Sequence, residues 1–517
     1  MTSTQTNHNL AVLAEQAFDR LGDYESLIFE GTAYRSGELA ERARRASSGL
    51  VKLGVDPGER VVVLMANCPE VPIAYNAIWR CGAVVTPVVF LISPPELTHI
   101  LTDSAAVAVV TSPELLVTVT AAAAGSPALR HVIVAGGAPE PSSLPGHVRG
   151  VDFAELESAP PGEIAPVDDD DLAALMYTGG TTGRAKGVML SHRNLYACSA
   201  SAYEASNAEG ITRAITPLPL SHAYGMIVTL VGYHATEPGI GVLQRWFDPA
   251  GFLELAGAHK VQRTALVPAM IQMLLAQPLE DADLSSLVYV NSGAAPLAAE
   301  TREQWERRVP SSEILEGYGC TESGAVISVN PPGASKPGSV GLPIPGYEVA
   351  IRDESDSDVP VGADGEICAR ADGVMSGYWN SPEESAATLR GGWLHTGDIG
   401  HLDADGYLYV VDRKKDLIIR GGFNVFPRDV EDALVEHPAV AMAGVVGRPD
   451  ERLGEEVVAF VSLRPGGQAT PAEITEFAKG RLAAHKYPRE VRILDSVPLT
   501  SVGKLDRKAL RGLLAVG

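Results

Sequence analysis

The sequence predicts an α/β protein with a large, multi-lobed N-terminal region of mixed α/β sheets, a β-rich lobe and a small α+β domain at the C-terminus. Strand-like apolar runs alternate with helix-like segments to about residue 327, a pattern typical of a sheet with crossover helices. Beyond Gly338 short strands and tight turns follow, and helix and strand patterns resume after the charged segment 412–416. Roughly two to four domains of about 100–200 residues fit this length.

Composition limits the classes of partner. The formal net charge is −23, and the sequence has no run of five or more Lys or Arg, which argues against a nucleic acid or an acidic membrane. The five cysteines form no C-x-x-C pair, so we expect neither a disulfide framework nor a structural metal, and a reducing cytoplasm as the setting. No apolar run reaches the roughly 18 residues that a membrane span needs, so we expect no integral membrane association.

The first block of elements follows from the spacing of apolar residues. Val61 to Met65 is a continuous apolar run, as expected of a parallel strand buried on both faces. The predicted order is a helix over 10–21, a hairpin over 24–34, a helix over 36–53, a strand over 61–65, a helix over 70–81, a strand over 84–89, a helix over 94–103 and a strand over 107–111.

Later elements are marked by caps and turns. Ser191 can cap a helix over 192–205, and Thr470 with Glu473 forms a capping box. Predicted strands beyond residue 260 cover 263–267, 287–291, 314–316, 348–352, 365–370, 394–403, 407–411, 439–447, 456–463 and 491–494. A helix is expected over 427–437, and the chain should end in a polar tail.

The segment Met176 to Leu190 is predicted to form a strand, a phosphate loop and a second strand. Its loop holds three threonines and three glycines before Lys186, and glycine backbone, hydroxyls and a lysine suit a polyphosphate. The P-loop template fails because Gly187 follows the lysine where Ser or Thr is required, and the dinucleotide fingerprint is missing. Taken alone, the segment is equally typical of a mobile surface loop.

Five further motifs accompany this loop. They are Pro217–Gly225, Asn291–Pro296, Gly317–Glu322, Trp393–Asp398 with Asp412-Arg413, and Pro498–Lys504. In this order and spacing the six motifs resemble the acyl-adenylate-forming superfamily, which includes acyl- and aryl-CoA synthetases, firefly luciferase and the adenylation domains of peptide synthetases. The resemblance covers essentially the whole chain. Bacterial acid–CoA ligases fit well, because Gly421–Pro427 also matches them.

The resemblance implies a reaction in two halves. A carboxylate attacks the α-phosphate of ATP to give acyl-AMP and pyrophosphate, and the thiol of coenzyme A then displaces AMP. ATP, Mg²⁺ and coenzyme A are therefore the implied cofactor and co-substrates. The implied ligands of the β- and γ-phosphates are Thr178, Gly179, Gly180, Thr181, Thr182, Gly183 and Lys186. Gly180 stands where serine is usual, and Arg184-Ala185 replaces the frequent residue-Pro.

The remaining nucleotide contacts are implied in the same way. Tyr318, between Gly317 and Gly319, would stack on the adenine, and Gly293-Ala294-Ala295 would cover its other face. Thr321 would bind the α-phosphate and Glu322 the Mg²⁺ ion, which takes carboxylates together with phosphates. Asp398 would accept both ribose hydroxyls, supported by Arg413 from the linker.

The resemblance also proposes the catalytic residues. Lys504 would lie between the α-phosphate and the attacking carboxylate and reduce their repulsion, alongside Thr321 and Glu322. His222 would sit where the acid and the thiol meet. The implied contacts of the acid are His222, Tyr224, Gly225, Met226, Gly293 and Gly319. Cys320 is expected to be a small filler, because no motif supplies a base for it.

The implied domains are an AMP- and acid-binding domain over 1–412, a hinge linker over 413–416 and a mobile lid over 417–517. Lys415 would be the hinge residue, in keeping with hinges of a few element-terminal positions. One face of the lid would present Lys504. The other would bring Gly421 and Gly422 to the site and leave a path for pantetheine.

The acid is predicted to be neutral and apolar. Between His222 and Gln244 the sequence is mainly apolar, and its only carboxylate is Glu237, whereas enzymes for α-amino acids usually carry an aspartate near this point. Two other readings stay open: transfer of the acyl group to a carrier-protein phosphopantetheine or a partner enzyme, and a binding or scaffold protein without turnover. Assembly as a homodimer is also left open.

Overall fold

A computed structural model gives the structure of the chain and describes residues 7–178, 185–500 and 505–514. The chain divides into two compact units, 1–349 with 369–394 and 350–368 with 395–517. This division differs from the predicted boundary near 412–416, because contacts join residues on either side of it. The backbone N–H of Arg428 donates to Asp412 Oδ2 (2.9 Å), and its side chain donates to the carbonyl of Val410 (2.8 Å). The hinge itself stays a prediction.

The helices and strands alternate over most of the described chain. Up to residue 178 they are α1 (Leu10–Leu21), β1 (Glu25–Phe29), β2 (Thr32–Arg35), α2 (Ser36–Lys52), β3 (Arg60–Leu64), α3 (Glu70–Arg80), β4 (Val84–Pro87), α4 (Pro94–Asp103), β5 (Ala108–Thr111), α5 (Leu116–Ala123), β6 (His131–Val134), β7 (Arg149–Asp152), α6 (Phe153–Glu157) and β8 (Leu172–Thr178).

Beyond the phosphate loop the same alternation continues. The elements up to residue 388 are β9 (Lys186–Ser191), α7 (His192–Ser206), β10 (Arg213–Thr216), α8 (Ala223–Gly232), β11 (Ile240–Leu243), α9 (Pro249–Ala258), β12 (Arg263–Leu266), α10 (Pro268–Leu275), β13 (Tyr289–Ser292), α11 (Ala299–Arg308), β14 (Glu313–Tyr318), β15 (Ser328–Val329), β16 (Leu342–Pro343), β17 (Glu348–Arg352), β18 (Gly365–Arg370), β19 (Gly377–Tyr378) and α12 (Pro382–Thr388).

The last elements are β20 (Leu394–Leu402), β21 (Leu408–Arg413), β22 (Ile418–Arg420), β23 (Phe423–Val425), α13 (Pro427–Val435), β24 (Val440–Asp450), β25 (Gly454–Leu463), α14 (Pro471–Lys479), β26 (Glu490–Leu494) and α15 (Arg507–Leu514). The predicted fold class, mixed α/β sheets with a β-rich lobe and a small α+β domain, is confirmed. Most predicted elements agree with these bounds to within about three residues, in keeping with the usual uncertainty at element ends.

One sheet of the first unit has eight strands in the order β19-β9-β8-β4-β3-β5-β6-β7. Its strands from β8 to β7 run parallel, whereas β8, β9 and β19 pair antiparallel. Val61 and Val63 pack in one hydrophobic cluster, and Val62 and Leu64 pack in another. Strand β3 is therefore buried on both faces, as predicted from its continuous apolar run.

The other sheet of the first unit has nine strands in the order β16-β15-β14-β13-β12-β10-β11-β1-β2. The strands β12, β13 and β14 run parallel. Their carboxyl ends therefore meet at one edge, which is where ligands bind in open α/β sheets. The motif that begins at Gly293 and the turn that begins at Gly319 follow two of these ends directly.

The second unit holds a four-stranded sheet, β17-β18-β20-β21, and a five-stranded sheet, β23-β22-β25-β24 with β26 beside β25. Alternate residues of the β24–β25 pair face opposite sides. Val445 and Val457 pack in a cluster with residues of α13 and α14, whereas Val446 and Val458 pack with Leu510 of α15. The expected polar tail is thus wrong for 507–514, since Leu510 is fully buried. The apolar residues of this segment recur at helical spacing, a local signal that predicts a helix.

Two predicted caps are confirmed. Ser191 Oγ accepts the backbone N–H of Asn194 at 3.1 Å, and Thr470 Oγ1 accepts that of Glu473 at 3.3 Å while Glu473 returns the bond. Among the described residues, every helix is too short or too polar to span a lipid bilayer.

Candidate functional site

The predicted phosphate loop connects two paired strands of the first unit. Strands β8 and β9 run antiparallel, and Thr178 lies opposite Lys186, which confirms the predicted strands on either side. Helix α4 supports both ends: Tyr177 Oη donates to Asp103 Oδ2 (2.6 Å), and His99 Nε2 lies 3.0 Å from the carbonyl oxygen of Ala185. Five predicted ligands lie outside the described residues, namely Gly179, Gly180, Thr181, Thr182 and Gly183.

Lys186 is connected to Glu322 through one tyrosine. Lys186 Nζ lies 5.5 Å from the centre of the Tyr378 ring, and Tyr378 Oη donates to Glu322 Oε1 at 2.9 Å. Lys186 also pairs with Glu384 of α12 at 2.7 Å. Burial and the neighbouring Glu322 carboxylate raise the pKa of Tyr378 well above its ordinary value, so its hydroxyl stays a donor.

The two predicted adenine segments are neighbours. A Cβ atom added to Gly293 would lie 3.4 Å from the carbonyl oxygen of Gly317 and 3.5 Å from Tyr224 Cε1. At Gly319 an added Cβ would lie 2.0 Å from the carbonyl oxygen of Ala325, so only glycine fits there. Ala294 has φ +69°, a left-handed conformation that is uncommon for alanine and tends to occur at functional sites.

The turn that carries Thr321 and Glu322 is held from several sides. It is a 3₁₀ helix, Thr321–Ser323. The hydroxyl of Ser323 donates to the carbonyl of Cys320 (2.9 Å), and the carbonyl of Ser323 accepts from Tyr347 Oη (2.7 Å). The backbone N–H of Met375 donates to the carbonyl of Glu322 (2.8 Å). These contacts fix the backbone on which the predicted magnesium ligand stands.

The predicted acid contacts lie at the start of α8. His222 Nδ1 accepts the backbone N–H of Tyr224 at 3.2 Å and so caps the helix. Tyr224 Oη donates to the carbonyl of Asn291 at 3.4 Å, which ties the helix to β13. An added Cβ on Gly225 would lie 2.1 Å from the carbonyl oxygen of Pro219. Met226 is only 1% exposed and packs in the main core, so its predicted substrate contact stays a prediction.

A small apolar cluster adjoins these residues. It links the predicted acid contact Tyr224 with Ala294 of the predicted adenine segment. Three of its members are buried and five are partly buried. The cluster consists of Leu218, Ala265 and Val267 together with Tyr224, Val228, Ala269, Met270 and Ala294. An acid chain placed against it would meet hydrocarbon surface.

In the second unit, the structure brings Asp398 and Arg413 together. They lie opposite each other in β20 and β21, with Arg413 Nε 3.3 Å from Asp398 Oδ1. Arg413 therefore belongs to a strand and not to the linker. Glu366 supports the turn before Asp398, because its Oε1 accepts the Gly397 N–H and its Oε2 accepts from Lys414 Nζ, both at 3.2 Å.

Neighbouring residues lower the pKa of Glu366. Burial alone would raise the pKa of Glu366, but hydrogen bonds from Lys414 and His395 outweigh it, so the pKa is lowered. Glu366 therefore carries its negative charge next to the predicted ribose site. Sequence reasoning missed this residue; its signal was a carboxylate inside the apolar strand 365–370.

The predicted hinge Lys415 lies in an exposed turn between two anchored aspartates. Asp412 accepts the Arg428 N–H, as described above, and the buried Asp416 accepts from Arg511 Nη2 at 2.7 Å. Gly421 and Gly422 form the exposed turn between β22 and β23, with φ +59° and +82°. Lys504 lies outside the described residues.

The family matches cover most of the chain. A family model described as AMP-binding enzyme matches residues 13–379, and one described as AMP-binding enzyme C-terminal domain matches residues 429–504. The chain belongs to the AMP-binding enzyme family. The first match contains every site residue that the sequence predicted in the first unit, and the second ends at Lys504.

Known members of this family align with the chain over nearly its full length. The chain is 34% identical to a long-chain-fatty-acid–CoA ligase of Bacillus subtilis (strain 168), over 98% of this chain and 94% of the relative. It is 37% identical to a feruloyl-CoA synthase of Amycolatopsis sp, over 93% and 94%. The crystal structure of the anthranilate CoA ligase AuaEII in complex with anthranoyl-AMP superposes with a TM-score of 0.90 at 27% identity, over 100% and 99%.

These findings confirm the resemblance drawn from the six motifs. They also confirm the predicted enzyme class: the chain is an AMP-forming acid–CoA ligase, which forms an acyl-AMP and then a thioester. The residue roles stay predictions. Sequence reasoning did not find Tyr378 or Glu384, since their contacts join segments far apart in the chain.

Proposed function

We propose that this AMP-binding enzyme activates a neutral, apolar carboxylic acid and transfers the acyl group to coenzyme A. The observation that carries the acid class is the apolar cluster that links Tyr224 with Ala294. An alkyl or aryl chain would bury its surface there, at roughly 25 cal/mol per Å² of apolar area. The names of the relatives, which act on fatty acids and on ferulate, support the same class.

Lys186 and Thr178 would hold the terminal phosphates of ATP, and Tyr318 with Gly293 to Ala295 would hold the adenine. Asp398 and Arg413, which pair at 3.3 Å, would hold the ribose. The catalytic cation would be Lys504. One unit-charge contact at about 4 Å is worth on the order of 4 kcal/mol at an effective dielectric constant of 20, and it would reduce the repulsion between the two anions.

Glu322 would hold Mg²⁺. Its carboxylate, which accepts a hydrogen bond from Tyr378 Oη at 2.9 Å, fits a metal that arrives with ATP. Mg²⁺ is commonly bound through one or two carboxylates together with substrate phosphates. When bound, it neutralises charge on the phosphate oxygens.

For the second half reaction, Lys415 would be the pivot and Gly421 with Gly422 would border the pantetheine path. Both glycines have positive φ and are exposed, so the turn offers backbone without side chains. Transfer to a carrier-protein phosphopantetheine is the second candidate. AMP release with coenzyme A, compared with release with a phosphopantetheinylated carrier protein, separates the two acceptors.

The setting would be the cytoplasm. The five cysteines form no C-x-x-C pair in the sequence, which favours a reducing compartment. The protein would also be able to form a homodimer, and light scattering of the purified protein tests this.

A pyrophosphate-release screen with fatty, aryl and polycyclic acids tests the acid class, with an α-amino acid as the charged control. We expect release with apolar acids and none with the amino acid. Lys504→Ala should slow release by roughly 10²- to 10³-fold, as for the loss of one preorganised electrostatic donor. A wild-type protein that releases pyrophosphate with no acid, or with the amino acid only, contradicts the proposal.

A further inference from the structure

The segment 375–384 of the first unit contacts the predicted phosphate ligand Lys186 and the predicted magnesium ligand Glu322. From this one segment, Tyr378 reaches Glu322 and Lys186, and Glu384 reaches Lys186. No motif in the sequence marks this segment as part of the site. It is nevertheless the point at which the lysine and the glutamate are joined.

The backbone of the segment is fixed on both sides. Tyr378 lies opposite Val188 in the β19–β9 pair, and the N–H of Trp379 donates to the carbonyl of Gly187 at 2.7 Å. On the other side the N–H of Met375 donates to the carbonyl of Glu322 at 2.8 Å. The backbone that carries Tyr378 is therefore hydrogen-bonded to Glu322 itself and to Gly187, the residue after Lys186.

The side chain of Tyr378 acts on each partner differently. Its hydroxyl donates to Oε1 of Glu322 at 2.9 Å, which restricts the rotation of a side chain that otherwise has several rotamers. Its ring lies 5.5 Å from Lys186 Nζ, within the range in which an aromatic face attracts a cation. One tyrosine thus orients the carboxylate and steadies the ammonium group.

We propose that Tyr378 is a positioning residue for the magnesium-bound pyrophosphate end of ATP. The proposal rests on the proposed roles of Glu322 and Lys186. The hydroxyl of Tyr378 sets the direction of the Glu322 carboxylate, so its removal weakens the contribution of Mg²⁺ to ATP binding. Removal of the ring weakens binding of ATP even without the metal.

The test is calorimetric titration of the full-length protein with ATP, without acid, in MgCl₂ and in EDTA. For Tyr378→Phe we expect the gain in affinity from MgCl₂ to fall about tenfold, since hydrogen bonds to charged groups are among the strong ones, with the affinity in EDTA unchanged. Tyr378→Leu should lower the affinity in EDTA as well. Tyr203→Phe, which removes a hydroxyl 3.3 Å from Thr236 Oγ1, is the matched control and should change neither value.

A double-mutant comparison separates positioning from a structural role. In the Glu322→Gln background, Tyr378→Phe should no longer change the gain from MgCl₂. The proposal would be overturned if Tyr378→Phe lowered the melting temperature but left the increase in ATP affinity from MgCl₂ unchanged. It would also be overturned if Tyr378→Phe reduced this increase by the same factor in the Glu322→Gln background as in the wild type.

Failure of the wider function would look different. If the wild type catalyses no acid-dependent exchange of pyrophosphate into ATP, the proposed function fails. A second outcome is an active wild type in which MgCl₂ increases the affinity for ATP by the same factor as in Tyr378→Phe. In that case only the proposed role of Tyr378 fails. Transfer from purified acyl-AMP to coenzyme A needs neither pyrophosphate nor its metal, and it should be unchanged in Tyr378→Phe.

Discussion

The candidate glycines of the two units differ in what surrounds them. A Cβ atom added to Gly319 would lie 2.0 Å from the carbonyl oxygen of Ala325, and one added to Gly225 would lie 2.1 Å from that of Pro219. A Cβ added to Gly422 would meet nothing within 4 Å. Glycine therefore permits close backbone packing in the first unit, whereas in the second it leaves a turn of bare, exposed backbone. Close backbone packing suits a rigid binding site for substrates, whereas an exposed turn without side chains suits passage of the pantetheine chain of coenzyme A.

The largest expected effect is that of Gly319→Ala. Because the added methyl group would overlap a backbone carbonyl, we expect a loss of about 3 kcal/mol or more in the free energy of unfolding. Gly422→Ala should cost only about 1–2 kcal/mol, from its positive φ alone. Urea denaturation of both variants measures the difference. Equal losses would remove the contrast between the two kinds of glycine.

The second unit also has a rigid part, and Glu366→Gln tests it. We expect a loss of about 1–2 kcal/mol at pH 7, together with a higher KM for ATP, because the turn before Asp398 loses its charged acceptor. Since the folded-state pKa of Glu366 is lowered, the stabilisation is present above the unfolded pKa and is lost as pH falls through the folded value. Denaturation of wild type and variant between pH 7 and pH 3 measures this. If the difference in the free energy of unfolding between wild type and variant did not decrease at low pH, the proposed role of the Glu366 charge would be wrong.

The exposed turn between Asp412 and Asp416 is the place where motion is proposed. Lys415→Pro fixes φ there, and it should slow thioester formation on the order of tenfold or more while adenylation changes little. Lys415→Ala is the matched control, because it removes the same charge and leaves φ free. Equal slowing of both half reactions would show that the turn is not a hinge.

The smallest effect is expected for Glu384→Gln. Glu384 pairs with Lys186 at 2.7 Å, and both side chains are partly exposed (47% and 30%). If Lys186 binds the phosphates as proposed, this pair competes with ATP, so its loss should raise ATP affinity by at most about fivefold, the scale of a surface ion pair. Calorimetry in low salt measures the change. Weaker ATP binding would show that Glu384 assists the nucleotide.

Local sequence signals predicted the helices and strands better than they predicted the residues that hold the site side chains in place. The continuous apolar run of β3 and the cap of Thr470 depend on neighbours in the chain, and both are confirmed. The Tyr378–Glu322 contact joins residues 56 positions apart, and such pairs follow from tertiary packing, which periodicity does not report. Helix α15 was missed because its charged residues hid the apolar face that buries Leu510.

One measurement tests the contrast between the two units most directly: both half reactions, assayed on the same preparations of Glu322→Gln and Gly422→Ala. Acid-dependent pyrophosphate exchange reports the first half reaction, and transfer from purified acyl-AMP to coenzyme A reports the second. We expect Glu322→Gln to lose exchange and keep transfer, and Gly422→Ala to keep exchange and lose transfer. Loss of both activities in the same proportion in both variants would contradict the account.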